Sequence, residues 1–115
     1  MMIEVYGLTN CDTCRKARKW LAAAGVGHEF HDIRKANLDS KVIAGWAGKA
    51  GWETLLNRRG TTWRGLPALD KEGVDEAGAI RLMTAHPALI KRPVFVVGND
   101  VLVGFTAEVQ KALAP

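Results

Sequence analysis

Cys11 and Cys14 are the only thiols in a chain of 115 residues, and two residues separate them. A Cys-x-x-Cys pair can pass between dithiol and disulfide. At a strand-to-helix junction it is the usual setting for thiol–disulfide chemistry. The attacking species is the thiolate. Unpaired backbone N–H groups and the positive dipole end at a helix N-terminus stabilise an anion, and such settings lower cysteine pKa values from about 8.5 to roughly 3.5–7.5. Cys11, at the start of the helix predicted next, is the candidate nucleophile. Cys14, about one turn further on, is placed to attack a mixed disulfide on Cys11 and is the candidate resolving thiol. Arg15 and Lys16 are expected to add positive potential there, and Thr9 and Asn10 are N-cap candidates.

Two other uses of cysteine compete with this one. Both thiols could be small buried hydrophobes. They could also hold zinc, which in structural sites takes four ligands. The remaining candidates for such a site are His28, His31 and His86. His28 and His31, three apart on a strand, face opposite sides, so no metal is expected. A second chemically suggestive stretch is Ile90-Lys91-Arg92-Pro93-Val94, with a proline where a strand can begin. A third is Asn57-Arg58-Arg59-Gly60-Thr61-Thr62-Trp63-Arg64-Gly65-Leu66-Pro67, a basic, turn-rich connection.

The elements that must position these residues follow from periodicity. Met2 to Tyr6 reads as a short buried strand broken by Gly7. Ala17, Trp20, Leu21 and Ala24 form one apolar helical stripe, and Gly25 is suited to stop that helix. His28 to Ile33 alternates and reads as a second strand. Strand, helix and strand in about 30 residues make a βαβ unit with parallel strands. Asn37 or Asp39 can cap a helix running to about Gly51, with Val42, Ile43, Trp46, Ala47 and Ala50 at helical spacing. Trp52 to Leu56 suits a further turn. Another helix is predicted from about Asp75 to Thr84, with Ala77, Ile80 and Met83 as its apolar side, and Pro87 starts a short turn. Val94-Phe95-Val96-Val97 and Val101-Leu102-Val103 flank a Gly98-Asn99-Asp100 turn and read as an antiparallel hairpin. Thr106 caps a last helix, Ala107 to Leu113. The sum is one α/β domain with a mixed sheet.

Composition sets outer limits. Hydrophobic residues make up 48% and charged residues 24%, the balance of a folded globular chain rather than a disordered one. No apolar run approaches the roughly 20 residues of a membrane span. The N-terminus lacks the basic and apolar regions of a secretory signal, so a cytoplasmic location is expected. The net charge of +4 comes without a long basic block or a nucleic-acid motif, and direct nucleic-acid binding is not expected.

Asn10-Cys11-Asp12-Thr13, the segment from Arg58 to Arg64, and Ala88-Leu89-Ile90-Lys91-Arg92-Pro93 together closely resemble the bacterial arsenate reductase (ArsC)/Spx family. The likeness is nearest to its small YffB-like branch and runs in order over essentially the whole chain. It implies a thioredoxin-like fold with a mixed four-stranded sheet and a helical insertion, about residues 37–90, between strands 2 and 3 of a single domain spanning 1–115. It also implies a cytoplasmic thiol protein whose reactive cysteine is Cys11. In such folds a cis-proline faces the active-site cysteine. Pro93 matches that proline, and Arg92 the arginine before it, beside Cys11. Arg59 resembles the arginine of the inserted segment, with Arg58 a near rival.

Two departures separate the chain from true arsenate reductases. Their further arginine after the last hairpin is replaced by the Gly104-Phe105 region, and their single active-site cysteine is joined here by Cys14. The resemblance therefore implies a thiol–disulfide oxidoreductase, a glutathione-dependent thiol reductase acting on glutathione or a protein disulfide. Its arginines would serve a glutathione carboxylate or the thiolate. The alternatives are an Spx-like redox-sensing regulator that binds the RNA polymerase α subunit, and residual arsenate reduction. Catalytic residues are expected to be Cys11, Cys14 and Arg92; substrate-binding residues, Asn10, Arg15, Arg59 and Pro93.

Overall fold

The computed structural model describes residues 2–115. In chain order the elements are β1 (Ile3–Gly7), α1 (Asp12–Ala23), β2 (His28–Asp32), α2 (Ser40–Ala50), α3 (Trp52–Leu55), α4 (Thr61–Arg64), α5 (Ala68–Lys71), α6 (Glu76–Ala85), a 3-10 turn (Pro87–Leu89), β3 (Val94–Val97), β4 (Asp100–Val103) and α7 (Ala107–Leu113). Two compact units divide them: residues 2–36 with 92–115, and residues 37–91.

The first unit holds the sheet, in the order β2-β1-β3-β4. β1 and β2 run parallel, with Ile3 opposite His28 and Tyr6 opposite His31. β3 is antiparallel to both β1 and β4. The βαβ unit and the hairpin are thus where the sequence places them. The hairpin loop is two residues, and Gly98 takes φ +61°, which a type II′ turn requires at its first central position. Contrary to the sequence reading, β1 does not stop before Gly7. Gly7 pairs with Asp32, and its carbonyl accepts a hydrogen bond from the Ile33 N–H at 2.9 Å; a missing side chain does not prevent the backbone from staying in the ladder.

Alternation along β1 sends Ile3 and Val5 into the core, where they meet Ala17 and Leu21 of α1, Phe95 of β3, and Val109 and Leu113 of α7. Trp20 and Phe105 close this core with an edge-on ring contact at 5.8 Å. α1 ends as its sequence suggests. Gly25 adopts φ +72°. Its N–H donates to the Ala22 carbonyl and the Val26 N–H to the Leu21 carbonyl, the paired bonds of a Schellman stop. Thr106 caps α7 through its hydroxyl, which accepts from the Val109 N–H at 3.2 Å.

The second unit is helical. α2 is capped by Asp39, whose carboxylate accepts from the Val42 N–H, and it buries Ile43, Trp46 and Ala47 against α3 and α6. Val42 is 39% exposed, so the predicted stripe is narrower than its spacing suggested. The predicted apolar side of α6 needs a larger correction. Ala77 is exposed, and the buried pair is Ala79 and Met83, one turn apart on the face that meets α2 and α3. A short helical turn at Thr61–Arg64 lies within the stretch expected to be a turn-rich connection, and a second forms at Ala68–Lys71, just beyond it. Leu56 and Ile90 form an antiparallel bridge, flanked by hydrogen bonds from the Asn57 N–H to the Leu89 carbonyl and from the Lys91 N–H to the Leu55 carbonyl, both 2.8 Å.

Candidate dithiol site

The turn between β1 and α1 is closed by the Cys11 N–H, which reaches the Leu8 carbonyl at 3.4 Å. It delivers Cys11 to the N-cap of α1 itself, with no side chain capping the helix. Thr9 and Asn10 therefore do not cap, contrary to expectation. Both are exposed one and two residues earlier. The position predicted to be stabilised by the helix terminus is thus occupied by the sulfur-bearing residue, and the Cys11 carbonyl accepts from the Arg15 N–H at 3.0 Å.

Both cysteines are free. Cys11 is partly exposed and Cys14 is fully buried, its side chain turned into the first unit beside β1. Burial opposes ionisation of Cys11. It is outweighed by hydrogen bonds from the Cys14 backbone, the Cys14 thiol and the Arg92 guanidinium, together with the charge of Arg92, so the Cys11 thiol ionises below its ordinary value. Cys14 is the opposite case. Burial pushes its thiol up to about 11; a backbone hydrogen bond from Leu8 opposes this, and the hydrogen bond to Cys11 and its charge add to it. The pair therefore keeps one proton on Cys14 and directs it at the Cys11 sulfur. Of the two, the partly exposed Cys11 is the sulfur that gives up its proton first, and the buried Cys14 thiol is hydrogen-bonded to it.

The Arg92–Pro93 peptide bond is cis, and Pro93 is buried just ahead of β3. Its carbonyl accepts from the Gly104 N–H at 2.8 Å. The structure thus brings Cys11, Cys14 and Arg92 together. Arg15 is placed differently from the expectation. Its guanidinium is ion-paired with Asp12 and donates to the Thr9 carbonyl at 3.3 Å. The cation that acts on Cys11 is Arg92, because the acid three residues before Arg15 captures it. Arg59 lies in the second unit, in a cleft of about 500 Å³ shared with Asn57, Arg58 and Lys91. Its N–H donates to the Asn57 side-chain oxygen at 3.0 Å. Its rival Arg58 is held between Glu53, at 3.6 Å, and the Trp52 ring, at 5.5 Å.

Gly7 is a site residue that sequence reasoning missed. A Cβ built there would lie 2.6 Å from the Cys14 sulfur, so the position admits no side chain while Cys14 packs as it does. Its need is for space, since its φ is not in the left-handed range. Its only signal in the sequence is its place just before the Cys11 turn. Asp12 was legible through its i,i+3 spacing to Arg15. Metal-type donors converge elsewhere: ligand atoms of Glu4, Glu29 and His31 lie within 4.8 Å of one another. His31 stacks on Tyr6 at 4.7 Å. Among the described residues, no such group includes either cysteine.

A parallel β1-α1-β2 unit continued by an antiparallel hairpin, with a cis-proline before β3 and a dithiol at the first strand-to-helix turn, defines a thioredoxin-like protein with helices inserted between β2 and β3. The match to one family extends over residues 6–113, and the chain belongs to the ArsC family. A protein of Haemophilus influenzae described only as uncharacterized is 41% identical over 114 residues, 98% of this chain and 100% of its own. The global transcriptional regulator Spx of Streptococcus agalactiae is 26% identical, with 99% of this chain and 84% of the regulator covered. The solved structure of the YFFB protein superimposes with a TM-score of 0.92 at 42% identity, over 98% of this chain and 99% of that one.

Proposed function

We propose that the chain is a thiol–disulfide oxidoreductase that uses glutathione as its reductant. The observation that carries this reading is the Cys11 sulfur, free and partly exposed at the N-cap of α1, with Cys14 and Arg92 both hydrogen-bonded to it. Cys11 attacks one sulfur of a disulfide, forms a mixed disulfide and releases the other half as a thiolate. Cys14 then gives up its proton and attacks the Cys11 sulfur, releasing the second thiol and leaving a Cys11–Cys14 disulfide. Two glutathione thiols reduce that bond and leave as oxidised glutathione. Alternatively, where the mixed disulfide joins Cys11 to glutathione, a second glutathione thiolate attacks the glutathione sulfur, the Cys11–glutathione bond breaks, and the Cys11 thiolate and oxidised glutathione are released. Arg92 keeps the attacking sulfur ionised. Asn10, in the turn that carries Cys11, and Pro93, next to Arg92, are the residues of the first unit offered to the peptide groups of glutathione, and Arg15 holds that turn through the Thr9 carbonyl. The reading is tested with a small disulfide, glutathione, glutathione reductase and NADPH. Protein-dependent NADPH consumption that disappears in Cys11→Ser supports it; no consumption above the protein-free rate contradicts it. Arsenate offered in place of the disulfide is expected to give no turnover. The backbone at Gly104 is tied to Pro93 and Phe105 packs on Phe95 and Trp20, so no cation stands there.

A second reading is favoured by the likeness to Spx and by the contact between the two thiols: a redox switch in which a Cys11–Cys14 disulfide changes binding to the RNA polymerase α subunit. Binding of purified α subunit before and after oxidation separates the two. Redox-dependent capture with no disulfide turnover selects the switch.

A further inference from the structure

Cys11, Arg15, Arg18 and Ala22 are spaced i, i+4, i+7 and i+11. At 3.6 residues per turn they form one stripe that begins at the N-cap of α1 and runs along its length. Arg15, Arg18, Lys19 and Ala22, with His28 at the start of β2, line an open groove of about 370 Å³. All three cations are exposed. The Arg18 guanidinium lies over the Phe30 ring, 4.2 Å from its centre. Arg15 is held by Asp12 and the Thr9 carbonyl. Among the described residues, Arg18 and Lys19 have no ion-pair partner. The groove is therefore a positive surface whose charge is largely unspent, and its Arg15 end lies one helical turn from Cys11 along α1.

We propose that this groove docks an acidic segment of the protein whose disulfide Cys11 attacks, which makes flanking acidic residues a determinant of substrate choice. The inference rests on the reading of Cys11 as the nucleophile. Seven helical residues separate Cys11 from Arg18, a rise of about 10 Å, and an extended chain covers that length in about three residues. The acidic residues belong at the second to fourth positions from the substrate cysteine. An extended peptide suits the groove better than nucleic acid. The cations from Arg15 to Lys19 span about one helical turn, whereas nucleic-acid binders neutralise phosphates along a longer track.

The test uses the whole protein and labelled ten-residue peptides with serine in place of the cysteine, so that binding is read without thiol chemistry. One peptide carries Asp or Glu two to four positions from the serine, on either side in separate versions; one carries only neutral residues; a single-stranded oligonucleotide is the third probe. The acidic peptide is expected to bind, to weaken as salt rises, and to lose affinity about three- to tenfold in Arg18→Ala/Lys19→Ala, the effect of two exposed ion pairs. The neutral peptide is expected to bind weakly and equally to both proteins. Equal binding of acidic and neutral peptides, no effect of the double substitution in a protein with an unchanged circular dichroism spectrum, or tighter binding of the oligonucleotide overturns the inference. Because these peptides cannot react, failure of the glutathione assay sinks the catalytic reading without altering this result.

Discussion

At the scale of single residues, the two thiols differ because one sulfur receives hydrogen bonds and a cation while the other is enclosed. Cys11 is held below the ordinary thiol value by the Cys14 backbone and thiol and by Arg92, despite its partial burial; burial holds Cys14 up at about 11. Iodoacetamide at pH 7 is therefore expected to modify Cys11 and spare Cys14 in native protein, read by peptide mass mapping. Arg92→Gln is expected to raise the Cys11 titration midpoint and slow its alkylation at pH 7 by about threefold or more; an unchanged midpoint contradicts the assigned role of Arg92. Gly7→Ala sets a methyl against the Cys14 sulfur and is expected to cost about 1–3 kcal/mol by overpacking, measured by urea unfolding. The placement of the cysteines was legible because Cys-x-x-Cys spacing and a helix start fix it locally. Gly7 was not, because its constraint comes from a side chain seven residues away that only the folded turn brings against it. Arg15, expected to add positive potential at the helix start, is ion-paired with Asp12 three residues before it.

At the scale of elements, local signals set the boundaries and packing sets the faces. The Gly25 stop, the Thr106 cap and the Gly98 turn all act within a few residues and could be read from the sequence, and of the two cap candidates for α2, Asn37 and Asp39, the structure uses Asp39. Thr106→Ala is expected to cost about 1 kcal/mol by leaving the Val109 N–H without its acceptor, while Thr106→Ser retains most of the stability; thermal unfolding of the two variants measures it. The buried side of α6 escaped the reading. Its alanines carry little hydropathic contrast, and the choice of Ala79 over Ala77 is made by the helices it packs against. Phe95, wholly buried between α1 and α7, is the largest single contribution to the core of the sheet unit. Phe95→Ala is expected to destabilise by about 3–5 kcal/mol.

At the scale of the whole molecule, the two thiols make stability depend on pH in opposite directions. Cys14 has a folded pKa above the unfolded value of about 8.5. Its contribution is complete below pH 8.5 and is lost as pH rises toward 11, because the unfolded chain ionises first. Cys11 has a lowered folded value. It contributes above the unfolded value and loses that contribution as pH falls through its folded value. Urea unfolding from pH 7 to 11 is expected to show a decline in wild type that is shallower in Cys14→Ala; parallel declines contradict the buried-thiol assignment. The β1-β2 and β3-β4 pairings followed from the βαβ unit and the hairpin, both local patterns, whereas the β1-β3 pairing that joins them is non-local and carries no local signal. The helical unit 37–91 was legible as helices between β2 and β3, but its short turns at Thr61–Arg64 and Ala68–Lys71 were not, since four residues carry no periodicity.

The central claim, that Cys11 is the nucleophile, is tested most directly by incubating Cys14→Ser with oxidised glutathione at pH 7 and mapping the adduct by mass spectrometry. The expected result is one glutathione on Cys11, formed more slowly in the added Arg92→Gln background and replaced in wild type by a Cys11–Cys14 disulfide. A Cys11 that stays unmodified while small thiols exchange freely under the same conditions contradicts it.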